Sequence, residues 1–321
     1  MRQFKYLQPK NIKDAQSLLL KEKTALPYAG GTDILGLLKD DIISPEKLIN
    51  LKNLGLNKIT FTDKELRIGA AVTISEIADH QNIQISLPVL AQAAREVASP
   101  QLRNIGTLAG NICQRPRCWY FRGDFNCLRK GGDTCYAYQG QNKFHCIIGG
   151  SPCFIVHPSD TAVALTALGA GVSIYSKGKS RIVSIKDFFV DPSKDYQKEN
   201  ILEHGDIVEQ IIIPFTGGDT RSRFIKFKER DVWDFTVVSI GAVIEKQGNK
   251  ITKANIAFGG IAPVPWVDES LNKALLEIPP DEKSIEQISN EFLKNAEALE
   301  MNEYKIPLTR NLLKRLLMEL V

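Results

Sequence analysis

Apolar and polar positions in the first two thirds of the chain follow the periods of both helices and strands. Asn11 is placed to cap a helix through roughly Lys23, because Ile12, Ala15 and Leu19 follow it at helical spacing. Helical spacing recurs over 34–39, 73–80, 88–98 and 161–168. Strand-like runs lie at 25–29, 48–51 and 171–175, and a hairpin is predicted from 58–61 to 66–70. This alternation predicts a mixed α+β region.

The last third has a different pattern. Four strand-like stretches follow one another at 207–214, 222–228, 236–245 and 251–258, and they predict an antiparallel sheet. Helical spacing then covers 267–276, 284–298 and 308–320. Strands followed by helices predict a separate α+β domain. We place its start at residue 217, so that the domains are 1–216 and 217–321.

Composition excludes several classes of protein. The 321 residues are 43% hydrophobic and 24% charged, as in ordinary globular proteins. A net charge of +4 is too small to indicate nucleic-acid binding. No run approaches the roughly 18 apolar residues of a membrane span, and residues 1–10 lack the apolar core of a signal peptide. We expect a soluble chain whose export would depend on a partner.

Two glycine-containing loops are candidates for binding a phosphate or a ribose. Residues 27–34, Pro-Tyr-Ala-Gly-Gly-Thr-Asp-Ile, join a strand to a helix, and glycines there allow a ligand to approach the backbone closely. Residues 104–111, Asn-Ile-Gly-Thr-Leu-Ala-Gly-Asn, form the second loop. Neither has the glycine spacing of a Rossmann fingerprint or a P-loop, so each alone is also consistent with an ordinary turn.

All six cysteines lie between Cys113 and Cys153. A chain of this length does not need disulfides for stability, so the clustering favours a metal or cluster site in a reducing environment. The close C-x2-C pairs of structural zinc sites are absent, and scattered thiolates can enclose an iron–sulfur cluster. Zinc and free surface thiols remain alternatives. Five basic residues could offset the negative charge of such a cluster, namely Arg115, Arg117, Arg122, Arg129 and Lys130.

The motif His157-Pro-Ser-Asp160 directly follows the cysteine-rich stretch. Ser159 or Asp160 would cap the next helix, and Asp160 could alternatively accept a hydrogen bond from a flavin ring. The sequence contains no H-E-x-x-H and no G-x-S-x-G. No catalytic residue is therefore assigned.

Taken together, four motifs resemble those of the flavin subunits of the xanthine dehydrogenase and carbon monoxide dehydrogenase family. They are Ala29-Gly-Gly-Thr-Asp33, Gln101-Leu-Arg-Asn104, Thr107-Leu-Ala-Gly-Asn111 and His157-Pro-Ser-Asp160. The resemblance covers essentially the whole chain. The stretch Gln114–Phe121 resembles the branch of periplasmic aldehyde oxidoreductase and, more distantly, 4-hydroxybenzoyl-CoA reductase, whose flavin subunits hold an additional [4Fe–4S] cluster.

The resemblance implies an FAD-binding domain of the PCMH type, with subdomains at about 1–56 and 57–216 and a cysteine-rich insertion at about 113–153. It also implies the site residues. Those around FAD are Pro27, Tyr28, Ala29, Gly30, Gly31, Thr32, Asp33, Ile34, Thr107, Gly110 and Asn111, with Asp160 and Lys226 near the isoalloxazine ring. The implied cluster ligands are Cys118, Cys127, Cys135 and Cys153. Cys113 is expected to pack as a small apolar residue, and Cys146 competes for the fourth ligand place.

The implied function is electron transfer within a complex. A large molybdopterin-binding subunit and a small [2Fe–2S] subunit would pass electrons through this chain to an external acceptor, in a heterotrimer or its dimer. The compartment would be the cytoplasm, or the periplasm if a partner carries the export signal. The alternatives are a stand-alone flavin reductase or oxidase of the same fold, like UDP-N-acetylenolpyruvylglucosamine reductase, and a zinc-stabilised scaffold without redox function.

Overall fold

The computed structural model describes residues 1–215, 217, 219–248 and 250–321, which form three β-sheets and the helices that cover them. The strands are β1 (Lys5–Leu7), β2 (Leu26–Tyr28), β3 (Lys47–Asn50), β4 (Ile59–Phe61), β5 (Glu65–Gly69), β6 (Gly171–Ser176), β7 (Lys179–Ser184), β8 (Ile207–Pro214), β9 (Asp219–Phe227), β10 (Val238–Gln247) and β11 (Lys250–Gly259). The helices are α1 (Ile12–Leu20), α2 (Ile34–Lys39), α3 (Ile74–Asp79), α4 (Gln81–Ser86), α5 (Pro88–Arg95), α6 (Pro100–Arg103), α7 (Leu108–Ile112), α8 (Trp119–Arg122), α9 (Asp160–Ala167), α10 (Ile185–Phe188), α11 (Glu269–Glu277), α12 (Glu282–Glu291) and α13 (Lys305–Leu320). The predicted α+β architecture is confirmed.

The N-terminal sheet is parallel, in the order β1-β3-β2. Its covering helix α1 begins as predicted, because the Asn11 side chain accepts a hydrogen bond from the Asp14 N–H at 2.9 Å. Ala15 and Leu19 then face the buried Ile49 of β3. The helix ends at Leu20, three residues before the predicted end.

The second sheet is antiparallel, in the order β4-β5-β8-β6-β7. The predicted hairpin is confirmed, since Ile59 of β4 pairs with Ile68 of β5. Leu66 and Ile68 are buried at alternate positions, as expected for a strand with one face on the core. The prediction that residues 207–214 (β8) belong to the same sheet as the three strands after them was wrong. β8 pairs with β5 and β6, because its apolar run completes this sheet.

The C-terminal sheet has the order β11-β10-β9 and is antiparallel throughout. Helix α13 covers it with Leu313, Leu316, Leu317 and Leu320, which recur at helical spacing and are buried. The helix predicted at 284–298 ends at Glu291 as α12. The proposed domain boundary involves Thr216, which lies outside the described residues, so this boundary and the two subdomains remain predictions.

Helix α9 is buried on every side. All eight of its residues are buried, and it packs against α5 as well as β10 and β11. Ser159 caps this helix, because its Oγ accepts a hydrogen bond from the Ala162 N–H at 3.0 Å. The predicted capping role in the His157–Asp160 motif is therefore confirmed for Ser159. The cysteine-rich insertion precedes α9 and contains only short helical turns. In the part of the chain that is described, no helix is both long and apolar enough to cross a membrane.

Candidate cofactor-binding site

The turn between β2 and α2 lines a cavity of about 310 Å³, which we call the glycine-loop cavity. The opposite wall comes from Ala70–Ala71 and from the start of α7. Most of the residues that we predicted to hold FAD line this cavity. They are Pro27, Tyr28, Ala29, Gly30, Gly31, Asp33, Ile34, Thr107 and Gly110. Thr32 and Asn111 are not part of its lining.

The two glycine-containing loops meet here because their glycines leave room for each other. A Cβ on Gly30 would collide with the Ile105 carbonyl oxygen, and Gly31 has a φ of +77°, which side chains rarely adopt. Thr32 points the other way, toward Gly106 of the second loop. A larger residue at Gly30 would therefore push the two loops apart, whereas one at Gly31 would strain the turn and collide with Tyr28.

Asn111 joins the second loop to the His157–Asp160 motif. Its Oδ1 accepts hydrogen bonds from the Ser159 hydroxyl at 2.5 Å and from the Thr161 hydroxyl at 2.6 Å. Thr107 caps α7, since its Oγ1 accepts from the Gly110 N–H at 3.2 Å. The structure thus brings these two predicted motifs together, and it gives Asn111 a role inside the protein.

Asp160 and Lys226 form a buried ion pair, with 2.8 Å between Nζ and Oδ2. Lys226 also donates to the carbonyls of Glu96 and Asp234, so all three ammonium protons are used. Burial raises the pKa of Asp160, and the Lys226 charge opposes that rise. Lys226 is therefore a buried, fully paired lysine and not a solvent-exposed one. The pair lies outside the glycine-loop cavity.

A second cavity, of about 210 Å³, lies between the insertion and the C-terminal sheet. Arg117, Cys118 and Trp119 form its insertion side, and 234–237 form the opposite side. His157 and Pro158 complete it. Because the Asp234 carbonyl in this wall accepts from Lys226, the cavity adjoins the buried ion pair.

Four of the six cysteines line one small internal cavity, which we call the cysteine cavity. They are the four predicted ligands Cys118, Cys127, Cys135 and Cys153. Arg129 and His145 share the lining, and His145 Nε2 lies 3.3 Å from Cys118 Sγ. The chain therefore folds so that thiols separated by up to 35 residues (153 minus 118) face a common space.

The thiols of the cysteine cavity differ in how easily they ionise. A hydrogen bond with Cys153 lowers the pKa of Cys135 to about 6, and the same shared proton raises the pKa of Cys153. Burial raises the pKa of Cys118 to about 11. The thiolate is the form that binds metal. Cys135, the thiol of this pair that deprotonates more easily, is therefore the one most readily available as a ligand.

Cys113 and Cys146 do not line the cysteine cavity. Cys113 is half-buried in the lining of the glycine-loop cavity and packs against the main core, as expected for a small apolar residue. Cys146 is buried, and a Cβ added to Gly150 would collide with its sulfur. Burial raises the pKa of both thiols to about 12. Both are neutral packing residues.

Four of the five basic residues that could offset a cluster's charge do not line the cysteine cavity. Arg117 and Arg122 bind Asp33, Arg115 binds Glu199, and Lys130 donates to the Gly123 carbonyl. Arg129 is the one of the five that lines the cysteine cavity. Arg129 also pairs with a carboxylate, that of Glu199, so it differs from the other four by its place in the cavity lining and not by lacking a partner.

The chemistry of the donor set fits a cluster. Among the described residues, no group of three or more His, Cys, Asp or Glu side chains is arranged to hold a single metal ion. A zinc ion needs all its thiolates at about 2.3 Å from one point. A [4Fe–4S] cluster binds each thiolate through a different iron, so the thiolates lie farther apart. Four cysteines around one cavity, with buried arginine N–H groups beside them, suit such an anionic group.

Two residues of this region were missed by sequence reasoning. Glu199 lies in an irregular segment and accepts from both Arg115 and Arg129. Lys305 is fully buried and donates to the carbonyls of Phe144, His145 and Gly260. The position of Lys305 on the apolar face of the last helix could have indicated a buried lysine. No feature of the sequence around Glu199 indicates its role.

Family models match nearly the entire chain. Residues 2–216 match the FAD binding domain in molybdopterin dehydrogenase, and residues 223–320 match the CO dehydrogenase flavoprotein C-terminal domain. Solved structures share the fold. The carbon monoxide dehydrogenase from Hydrogenophaga pseudoflava has a chain that superposes with a TM-score of 0.78 at 23% identity, covering 98% of this chain and 96% of that one.

Curated relatives are similar over most of their length. The aldehyde oxidoreductase FAD-binding subunit PaoB of Escherichia coli K12 is 34% identical over 296 residues, which is 91% of this chain and 90% of the relative. The xanthine dehydrogenase FAD-binding subunit of Escherichia coli O157:H7 is 25% identical and covers 98% of this chain and 95% of the relative. The glyceraldehyde dehydrogenase medium chain of Sulfolobus acidocaldarius is also 25% identical, over 82% of this chain and 78% of the relative.

Proposed function

Because this chain belongs to the FAD-binding medium subunits of the xanthine and carbon monoxide dehydrogenase family, an oxidoreductase family, we propose that it carries both FAD and a [4Fe–4S] cluster. Bound FAD would accept electrons from the molybdenum and [2Fe–2S] subunits of a molybdenum hydroxylase and deliver them to an external acceptor. The observation that carries the cluster assignment is the single cavity lined by Cys118, Cys127, Cys135 and Cys153.

We assign the FAD pyrophosphate to the turn between β2 and α2. Gly30 and Gly31 line the cavity and have no side chain, so a bound group would contact their backbone directly. The one carboxylate of this turn, Asp33, is held by two arginines at 2.8 Å, so its charge is offset before an anionic group arrives. Thr107 and Gly110 face the same space, and Asn111 holds the neighbouring loop in place.

We assign the isoalloxazine ring to the neighbourhood of Asp160 and Lys226. Lys226 is a fully desolvated cation with three fixed acceptors, so its position is set by the protein. Asp160 provides the opposite charge that makes burial of the ammonium tolerable.

The partners follow from the kind of subunit. Several relatives are medium chains, which are parts of larger enzymes. We propose that this chain assembles with a large molybdopterin-binding subunit and a small [2Fe–2S] subunit. The substrate would be converted on the large subunit, in the cytoplasm, or in the periplasm if a partner directs export.

The cluster assignment is tested by changing the six cysteines to serine one at a time. Anaerobically purified wild-type protein should contain about four iron and four sulfide per chain, the content of a [4Fe–4S] cluster. Serine at position 118, 127, 135 or 153 should abolish or strongly reduce that content, since serine is a poor cluster ligand. Cys113→Ser and Cys146→Ser should retain it, and they serve as matched controls because they also alter enclosed thiols.

Two outcomes would contradict this assignment. Iron lost in Cys146→Ser but retained in Cys153→Ser would give the fourth ligand place to Cys146. A wild-type protein that contains zinc and no iron, and that lacks the broad visible absorption of iron–sulfur proteins, would mean that the site binds a structural metal.

A further inference from the structure

Arg129 is a buried cation in the lining of the cysteine cavity. Its side chain is 1% exposed, and it lines the cavity together with the four cysteines. One guanidinium nitrogen, Nη1, donates to Glu199 Oε1 at 2.6 Å. The other two nitrogens, Nε and Nη2, are buried and have no oxygen or nitrogen acceptor among the described residues. The guanidinium faces the Cys153 thiol, and its charge and a side-chain hydrogen bond oppose the rise in the pKa of that thiol.

Unpaired N–H groups on a buried guanidinium are energetically costly. Arginine remains charged in proteins and offers five N–H donors in a rigid plane. A buried donor to a charged group that is left without a partner costs about 1–3 kcal/mol or more, so proteins rarely leave one unpaired. Anionic sulfur is the acceptor chemistry that this cavity offers, and a charge-assisted hydrogen bond to it would pair these N–H groups.

Glu199 fixes which way Arg129 points. Its Oε1 accepts from Arg129 Nη1 and also from Arg115 Nε at 3.0 Å. The Glu199 carboxylate is 11% exposed, so water screens its ion pairs with the two arginines only weakly. Two arginines around one carboxylate leave a net charge of +1, so Glu199 orients Arg129 without cancelling the positive charge of the group.

We propose that Arg129 is a positioning residue that donates hydrogen bonds to a sulfur atom of the cluster and so raises its reduction potential. This inference rests on the proposed function. Reduction adds one electron, and hence one negative charge, to the cluster. A fixed cation with hydrogen bonds to the sulfur stabilises that reduced form more than the oxidised form. Glu199 binds both Arg129 and Arg115, and Arg115 lines the glycine-loop cavity. Glu199 thus links Arg129 to the proposed FAD site.

The test compares the cluster's reduction potential in three variants of the assembled protein. Arg129→Met removes the charge and the donors, and Arg129→Lys keeps the charge but loses the planar donors. Lys130→Met is the matched control, because it removes a neighbouring positive charge that does not line the cysteine cavity. Potentials are read from redox titration followed by electron paramagnetic resonance, with iron and sulfide measured in the same samples.

The potential should fall in the order wild type, Arg129→Lys, Arg129→Met, with Lys130→Met close to wild type. Arg129→Met at the wild-type potential would overturn the proposal, as would an equal shift in Lys130→Met. If Arg129→Met does not assemble, Arg129→Lys at the wild-type potential would overturn it. Absence of a [4Fe–4S] electron paramagnetic resonance signal from the assembled wild type, with no iron beyond that of the [2Fe–2S] subunit, contradicts the proposed function. A [4Fe–4S] cluster with unmoved potentials contradicts only this inference.

Discussion

His157 is a neutral ring enclosed by the protein. Its Nδ1 accepts a hydrogen bond from the Ser159 N–H at 3.3 Å, and the ring meets Phe189 edge-on with 4.6 Å between centroids. Burial lowers the pKa of His157 to about 4; the Arg129 charge acts in the same direction, and a hydrogen bond to the Ile112 backbone opposes it. The folded protein therefore holds an uncharged imidazole in the lining of the second cavity.

This ring predicts a specific sensitivity to acid. The unfolded chain binds a proton on His157 as the pH falls through about 6.5, whereas the folded chain does so only near 4, so stability is lost between these values. The loss is about 2 kcal/mol at a pH of about 5. His157→Phe keeps the packing and should lose that much less stability between about pH 7 and about pH 5. Urea unfolding at both pH values measures it, and an identical pH dependence in the two proteins would argue against a neutral His157.

Individual residues were predictable where a local pattern requires them. Gly30 and Gly31 stand at a strand–helix turn whose geometry needs glycine, so the sequence motif already indicated their role. The cysteine spacing did not decide between Cys146 and Cys153. In the structure Cys146 lies against Gly150 while Cys153 lines the cysteine cavity, and this packing is why our proposal takes Cys153 as the fourth ligand. Glu199 was not predictable, since its arginine partners lie 84 and 70 residues away in the chain.

At the scale of elements, the cysteine-rich insertion holds the turn between β2 and α2. Asp33 receives hydrogen bonds from the Arg115 backbone N–H at 2.9 Å and from the side chains of Arg117 and Arg122 at 2.8 Å. The Asp33 carboxylate is 17% exposed, so these contacts are screened less than surface pairs. The turn that lines the glycine-loop cavity is therefore fixed from outside by residues of the insertion.

Arg122→Ala should weaken FAD binding although Arg122 does not line the glycine-loop cavity. Loss of one arginine from Asp33 loosens the turn, and we expect roughly a tenfold higher Kd, equivalent to about 1.4 kcal/mol. Titration of the FAD-free protein with FAD, followed by flavin fluorescence, measures the change. Arg67→Ala is the control, because it removes an arginine from a solvent-exposed pair with Glu65. Equal affinity in wild type and Arg122→Ala would show that the turn is rigid without this contact.

Element type was more predictable than element pairing. Period-two and helical patterns located the hairpin at β4 and β5, and also α2, α9 and α13. The same patterns cannot say which strands are neighbours, because an apolar strand fits any sheet that has an open edge. β8 shows this, since its sequence resembles the strands that follow it while its partners precede it.

For the whole molecule, Lys305 connects the C-terminal helix to the end of the insertion. Its ammonium donates to the carbonyls of Phe144 at 2.9 Å, His145 at 3.0 Å and Gly260 at 2.6 Å. Burial lowers its pKa to about 7. Asn302 adds hydrogen bonds to the carbonyls of His145 and Cys146. The backbone carbonyls of residues 144–146, beside the cysteine cavity, are thus held by the side chains of Asn302 and Lys305 near the C-terminus.

Lys305→Met should lower the free energy of unfolding by roughly 2–4 kcal/mol, because three buried carbonyls lose their donor. Lys314→Met, on the same helix, is the control. Lys314 forms a partly exposed pair with Glu286 at 2.9 Å, which is worth at most about 1 kcal/mol. Urea unfolding at one pH compares the two variants. If both variants lose the same free energy of unfolding, the three carbonyls must find other hydrogen-bond donors when Lys305 is replaced.

The position of β8 has a consequence for how the protein is made. β8 is the middle strand of the five-stranded sheet, yet it begins at residue 207, after every other strand of that sheet. On the ribosome, β5 and β6 have no common neighbour until β8 emerges, because pairing of distant strands must wait for the last of them. All six cysteines, from 113 to 153, emerge before that moment. The nascent chain therefore exposes its six cysteines while this sheet is still incomplete, and the cluster that we propose would be inserted before the finished fold buries them.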